Sequence, residues 1–598
     1  MPAHDMACLA RRSLSTIPWR TMKKILSLLA ATLLVGVFAT ASAQNDTYVY
    51  MTFGGIDTLD PEGAYDTASG TALENVYETL YGYDGTAVDQ FVPRLATDYS
   101  ISDDGLTYTY TLREGVQFHS GNMMTCRDVE YSIERILVMN DPSSGVWFQS
   151  EALLGTGANA NDDDSITWEK IDNSVECVDD STVQFNLPAV DPAFFGKLVY
   201  TNASIVDSAW AIENGEWSGT EADWREWVGV DPREGFLHDN ASGTGAYALV
   251  DWDGTDSVYE RFDGYWGEAP DVQTVQYRIV DELATRILAL QNGEADRITL
   301  GSDSDWATLE SQVRGLDGVT IWEDESWLSL AVGAMHMNQA IDTVDNAVNV
   351  GSGQLDGAGI PSDFFADVDV RKGFAYSFDQ QVMIDELFLG KGQKLTMALP
   401  PSFLGYDANV PTYGFDPEMA EQHFRDAWDG AVWDTGFEMT ISYNTGNATR
   451  QIIAEILKAN VEDLNSDFRV NVRGIQWPDF LADRNANKLP ISLVGWLPDY
   501  ADPDNYMYTF YHSEGYYGSQ MNFQDAEIDR LLEDARSTTV DAERELYYSQ
   551  VAHRAYDLAP TVPYPSALNF LVTNDSIEGV YYNPMISHNY LWKDIVKN

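Results

Sequence analysis

Cysteine, histidine and basic residues are what this chain is short of: three cysteines, eight histidines, and 35 lysines plus arginines against 94 aspartates plus glutamates in 598 residues. So few cysteines exclude a scaffold held together by disulfides. The net charge of −59 excludes nucleic acid as a partner, because a polyanion would be repelled across the whole surface. A field of that sign favours cationic solutes at long range, but a Debye length of about 8 Å screens most of it. The acidic excess therefore reads first as a solvation device, and with so few lysines it resembles the surfaces of proteins from salty habitats. After Phe38 no apolar run approaches the roughly 20 residues of a spanning helix. HExxH, GxSxG, a glycine-rich phosphate loop and any Cys/His cluster with metal spacing are all absent, which removes the strong catalytic and metal signatures.

What is present is a large reserve of core-forming residues, 44% hydrophobic and 12% aromatic, enough for more than one lobe. Near the start, Met22-Lys23-Lys24 precedes an apolar run from Ile25 to Phe38 and a small-residue stretch to Ala43. These are the three parts of a secretory signal, with cleavage expected after Ala43. Translation from Met22 or from Met1 fits this reading, and Arg11-Arg12 makes a twin-arginine tag the lesser alternative. No cysteine stands at the cleavage point, so a free periplasmic protein is expected rather than a lipid-anchored one. Cys8 leaves with the export segment. Cys126 and Cys177 then remain in an oxidising compartment, either as a disulfide that restricts the unfolded chain by about 4 kcal/mol or as two separate buried thiols.

Helix and strand periodicities alternate throughout, the pattern of mixed α/β domains. Leu106, Tyr108, Tyr110 and Leu112 alternate with polar residues after the turn Asp103-Asp104-Gly105, and Val183, Phe185 and Leu187 repeat the pattern. Between them Val129, Ile133, Ile136 and Leu137 fall at helical spacing behind Asp128, an acid suited to a helix start. Leu283, Ile287 and Leu288 predict a helix ending at Gly293; Ile453, Ile456, Leu457, Val461 and Leu464 a second; Ile528, Leu531, Leu532 and Ala535 a third. The Asp-, Asn- and Gly-rich stretch from Asp342 to Gly359 lacks periodicity and reads as a surface insertion without the spacing of a calcium loop.

Several segments together resemble extracellular solute-binding protein family 5, the peptide, oligopeptide and nickel receptors of ABC importers. They are YETLYGYDG from Tyr77, LTYTYTLREGVQFHSG from Leu106, DVEYSIERIL from Asp128, GTGAY from Gly243, YWG from Tyr265 and ATRILALQNGEAD from Ala284. DVRKGFAYSFD from Asp369, GWLPDYADPDN from Gly495 and DAEIDRLLEDAR from Asp525 continue the match in order over nearly all of the chain beyond the signal. The resemblance implies a two-lobed α/β periplasmic-binding-protein fold of class II type with an extra small α/β subdomain at about 77–190. The first lobe would comprise 44–300 plus 546–598 and the second 301–545, with the export segment at 1–43. It also implies a non-enzymatic, monomeric receptor without cofactor or bound metal, which closes on a small peptide-like ligand and presents it to the permease.

By the same resemblance Asp499 matches the aspartate that peptide-binding members place against the ligand's ammonium group, with Gly495 and Trp496 walling the pocket. Tyr65, Asp66 and Thr67 fall on the first-lobe loop beside the ligand. Where dipeptide-type members carry an arginine for the ligand's carboxylate, Asn444 stands here, with Arg450 nearby as a substitute or as a solvated helix residue. That departure loosens a strict dipeptide preference. An oligosaccharide, a metal chelate or another amine-bearing metabolite on the same fold stays open, as does a secreted glycosidase, whose paired carboxylates leave no fixed motif.

Overall fold

The computed structural model describes residues 46–598 apart from 89, 142, 143 and 303. The export segment at 1–43, with Arg11-Arg12, Cys8 and the cleavage point, lies outside the described residues.

Two large sheets carry the two lobes. The first runs in the order Val319–Leu328, Ser566–Asn574, Arg297–Ile298, Thr47–Thr52, Thr274–Ile279, Ser257–Arg261, Tyr247–Trp252, with Gly392–Gln393 paired to Ser566–Asn574 off this path. Thr47–Thr52 pairs in parallel with Thr274–Ile279 on one side and Arg297–Ile298 on the other. Parallel neighbours need a crossover, which helix Leu283–Gln291 supplies. Side chains alternate between two cores: Tyr48 and Tyr50 join one cluster with Val275 and Tyr277, while Met51 joins Ile298, Trp306, Phe570 and Val572 on the opposite face.

The second sheet runs Phe468–Ile475, Phe437–Asn444, Ile491–Trp496, Val332–Met337, Thr561–Pro563. Helices Ala448–Leu464 and Trp477–Asn485 join its three parallel strands. It is covered on both faces, with Met335, Ile441 and Leu493 in one core and Val332, Ala334 and Val494 in the other, as a sheet wound by crossover helices requires. The chain passes from the first sheet to the second between Leu328 and Val332 and returns between Pro563 and Ser566, and in between only the short strand Gly392–Gln393 reaches back, to the start of Ser566–Asn574, among the described residues.

A four-stranded antiparallel sheet, Ala96–Ile101, Thr107–Leu112, Thr182–Asn186, Val175–Asp179, packs under helix Cys126–Met139. Tyr108, Tyr110, Leu112, Val183 and Phe185 are buried in alternation, and Val129, Ile133, Ile136 and Leu137 form the helix face that covers them. The Asp128 carboxylate accepts from the Thr125 backbone N–H at 2.8 Å and closes the helix start. Cys126, the first residue of this helix, is disulfide-bonded to Cys177 on the neighbouring strand.

Two elements depart from their sequence patterns. Leu288 faces solvent, because Arg286 takes the buried side of its helix and donates to the carbonyls of Val280, Thr299 and Leu300. Within Asp342–Gly359, Asn346, Asn349 and Val350 are buried. The Asn346 amide donates to the carbonyls of Asp342 and Lys488 and ties the insertion down.

Candidate functional site

In the second sheet the strand Phe437–Asn444 has Phe468–Ile475 on one side and Ile491–Trp496 on the other, both parallel to it. The crevice beyond the carboxyl ends of such strands, where the winding reverses, is where open α/β sheets hold ligands. Asn444 ends one of these strands and Gly495-Trp496 ends another. Gly495 lies opposite Gly333, and a Cβ there would stand 3.2 Å from the Gly333 Cα, so a side chain would fit only if the two strands moved apart by a few tenths of an ångström.

From Trp496 the chain enters the loop that carries Asp499. Helix Asp504–Tyr511 fixes this loop from below. The Asn505 side-chain oxygen accepts from the Asp499 backbone N–H at 3.1 Å and from the Trp496 indole N–H at 2.7 Å, while its amide donates to Asp499 Oδ2 at 3.2 Å. Asp502 is paired with Arg544 and Asp504 with Arg536, so the loop's remaining acids are engaged away from Asp499. The asparagine that organises this group is the last residue of the GWLPDYADPDN run, a signal available in the sequence but not singled out there.

Across the gap, the first-lobe loop is anchored by a buried guanidinium. Arg135 donates to both oxygens of Asp60, at 2.8 and 2.6 Å, and to Glu62 and Glu216. Burial raises the Glu62 pKa well above the usual carboxylate range, with Arg135 pulling the other way. Asp66 caps helix Thr67–Val76, accepting from the backbone N–H groups of Ala68 and Ser69 at 2.9 Å. Tyr65 as a whole residue is 36% exposed, and its ring lies over Gly145, where a Cβ would fall 2.1 Å from the ring. Its hydroxyl donates to Asp499 Oδ1 at 2.9 Å, a bond between residues 434 positions apart.

Tyr65 and Asp499 are thus brought into direct contact, and Trp496 joins them through Asn505. Asp66 and Thr67 serve the helix start beside them: the Thr67 carbonyl accepts the Thr71 hydroxyl at 2.7 Å. Asn444 and Arg450 are bonded to each other, with Arg450 Nη1 donating to the Asn444 oxygen at 2.7 Å. Asn444 ends its strand and Arg450 stands in the first turn of the helix that follows, so the pair is bonded to itself rather than to the aspartate. Tyr516 and Tyr517, which the sequence did not mark, pack on Trp496 with centroid distances of 5.8 and 5.6 Å.

Asp499 is 5% exposed, and its carboxyl is raised to about 6, by burial first, with the Asn505 and Tyr65 donors opposing. Such a group is poised to accept a cation, which would replace lost solvation with a charge-assisted bond. The surrounding contacts also join the two sides: Tyr500 meets Phe148 at 5.3 Å, and Arg536 reaches Glu151 at 3.1 Å. Behind Tyr200, which borders this region, a cavity of about 80 Å³ is walled by Glu74, Glu78, Tyr83 and Tyr265. Among the described residues no group of three or more His, Cys, Asp or Glu side chains is placed to hold a metal ion. Among the same residues no helix is long and apolar enough to cross a membrane.

Residues 90–518 match the profile of a family described as bacterial extracellular solute-binding proteins, family 5 Middle. The chain is 26% identical over 559 residues to heme-binding protein A of Haemophilus influenzae, covering 91% of each protein. It is 24% identical over 578 residues to the dipeptide-binding protein of Escherichia coli, covering 93% of this chain and 96% of that one. Among solved structures, the ABC transporter-associated periplasmic binding protein DppA from Helicobacter pylori in complex with peptide STSA aligns with a TM-score of 0.70 at 21% identity. That alignment covers 93% of this chain and 99% of the other and establishes the two-lobed fold.

Proposed function

The chain belongs to the bacterial extracellular solute-binding proteins of family 5, and from that premise we propose that it captures a peptide by its free amino end and hands it to the permease of an ABC importer. The observation that carries this reading is Asp499, a buried carboxylate on one lobe bonded by the Tyr65 hydroxyl of the other. A ligand ammonium entering beside Tyr65 completes the coordination of that carboxylate. The same ion pair then holds both lobes, so binding and closure are one event.

The lobe boundaries we infer follow the sheets rather than residues 301 and 545: the first lobe ends near Leu328 and resumes near Ser566. The two short crossings, 329–331 and 564–565, act as the hinge. Asn444 and Arg450 face the ligand's distal end from the strand end and the helix that follows it, with Trp496 and Tyr516 as its apolar wall. The protein acts by binding without turnover, as a monomer. It is exported to the periplasm by a signal peptide that is cleaved near Ala43.

Isothermal titration with di- and tripeptides, each paired with its N-acetylated form, tests this reading, with hemin titrated in parallel because one relative is named for that ligand. The expected result is binding of the free-amino peptides and loss on acetylation. Equal affinity for both forms, or hemin binding with no peptide binding, would overturn it.

A further inference from the structure

Gly70 and Glu74 stand four residues apart on one face of helix Thr67–Val76. A Cβ at Gly70 would fall 2.3 Å from the Ser587 hydroxyl oxygen, so the glycine lets the C-terminal segment lie against this face. Both Glu74 carboxylate oxygens accept from the Ser587 backbone N–H at 3.0 Å, and one of them also from its hydroxyl at 3.1 Å. Among the described residues no cation pairs with this carboxylate. Burial raises its pKa from 4.5 to about 8 against the Ser587 donors, the response of a carboxyl that lacks a counter-charge.

Glu74 lines the cavity of about 80 Å³ behind Tyr200, which has room for several water-sized groups. The other charged residues of its wall are balanced. Glu78 accepts from the Thr244 hydroxyl at 3.0 Å, the Tyr265 hydroxyl at 3.1 Å and the Trp266 indole N–H at 2.7 Å, and the Arg94 guanidinium acts on it as a counter-charge. Lys593 is held by Asp594 at 2.8 Å. Tyr83 is 9% exposed, and its hydroxyl is buried in the same wall without a hydrogen-bond partner, near enough to Glu74 for that charge to act on it. Val199, Ala246, Met585, Ile586 and Leu591 supply the apolar part of the wall.

An unpaired carboxylate, an unused hydroxyl oxygen and an apolar wall suit one chemistry, a cationic head on a short aliphatic stem. The head gives Glu74 a charge-assisted bond, and the stem displaces water from the apolar side chains. We propose that the first lobe binds a primary alkylammonium group in this cavity, with its head between Glu74 and Tyr83. Tyr200 belongs to the cavity wall, its hydroxyl is acted on by Asp499 and Glu74 alike, and its ring meets Tyr65 at 6.4 Å. The ammonium therefore has two sources. One is a basic side chain of the ligand held at Asp499, which rests on the peptide reading above; the other is a separate small amine, which does not.

The purified protein, without added peptide, is melted at pH 7.5 in sodium chloride exchanged stepwise for butylammonium chloride at constant ionic strength, with butanol as the uncharged control. The expected result is a melting temperature that climbs with the logarithm of butylammonium concentration, by several degrees in all, and no rise with butanol. Glu74→Gln should lose the response, whereas Glu527→Gln, a change at an exposed glutamate, should keep it. If Glu74→Gln does not fold, Tyr83→Phe takes its place and should need roughly tenfold more amine for the same rise. Titration calorimetry with Lys-Ala and norleucine-Ala separates the sources. A preference of at least tenfold for Lys-Ala that vanishes in Glu74→Gln assigns the ammonium to the ligand's side chain; equal affinities, or no binding of either peptide, beside a melting response that Glu74→Gln loses assign it to a small amine. A melt indifferent to butylammonium together with equal affinities for the two peptides would overturn the proposal, and so would a full response in Glu74→Gln, which would mark a general amine effect on an acidic surface.

Discussion

Asp499→Asn removes a charge while keeping a shape, and stability and binding should respond in opposite directions. In the folded protein the carboxyl is raised from 3.8 to about 6, chiefly by burial. A displacement of about two pKa units corresponds to about 3 kcal/mol. Because the folded state holds the proton more tightly than the unfolded chain, this contribution is fully present below pH 3.8 and is lost as the pH rises through about 6. At pH 7.5 the ionised side chain therefore weakens the ligand-free protein by up to about 3 kcal/mol. Asparagine avoids that penalty but gives up one good hydrogen bond, to Tyr65 or Asn505, worth about 1 kcal/mol. The variant should be about 1–2 kcal/mol more stable than the parent at pH 7.5, with no such advantage near pH 4, in urea unfolding followed by tryptophan fluorescence. Peptide binding should suffer instead: removing one partner of a buried charge pair costs about 2–5 kcal/mol, a weakening of about 30-fold to several thousand-fold. For the parent, affinity should fall by about tenfold for each pH unit below 6 as the carboxyl takes up a proton, and the variant should show no such slope. A variant that binds within a few-fold of the parent, or that keeps the parent's pH profile, would refute the role given to this carboxylate.

Tyr65→Phe deletes the hydroxyl that crosses to Asp499, a bond to a charged acceptor worth about 1.5–3 kcal/mol; small-angle scattering of the ligand-free protein should shift toward a more open form, and an unchanged profile would sever the link between that bond and closure. Glu151→Gln weakens the partly exposed contact with Arg536 and should favour opening by about 1 kcal/mol or less, a difference that about 0.5 M salt should erase. Cys126→Ser opens a disulfide between residues 51 apart and should lower the stability of the small subdomain by about 4 kcal/mol in the loop-entropy description, while peptide affinity is retained. Reducing agent on the parent should reproduce that melting curve, and coincident curves for oxidised and reduced protein would contradict the expectation.

Where a pattern is local, it was readable. Tyr108, Tyr110 and Leu112 alternate because one face of their strand is buried, and Val129, Ile133 and Ile136 recur at helical spacing for the same reason. Leu288 shows the limit: its apolar character suggested a buried face, but the carbonyls gathered at Val280, Thr299 and Leu300 come from neighbouring segments and draw Arg286 inward instead. The chain's crossings between sheets were equally illegible, since Val319–Leu328 is recognisable as a first-sheet strand only by its antiparallel pairing with Ser566–Asn574.

The amino-acid order by itself determined the alternating α/β character, the acidic surface and the run of motifs that marks the family, because each depends on residues near one another in the chain or on simple totals. Tertiary structure alone decided what Asp499 faces. Tyr65 lies 434 positions away and Arg135 sets the loop that carries it, so their meeting depends on how two sheets pack, not on any spacing a reader can count.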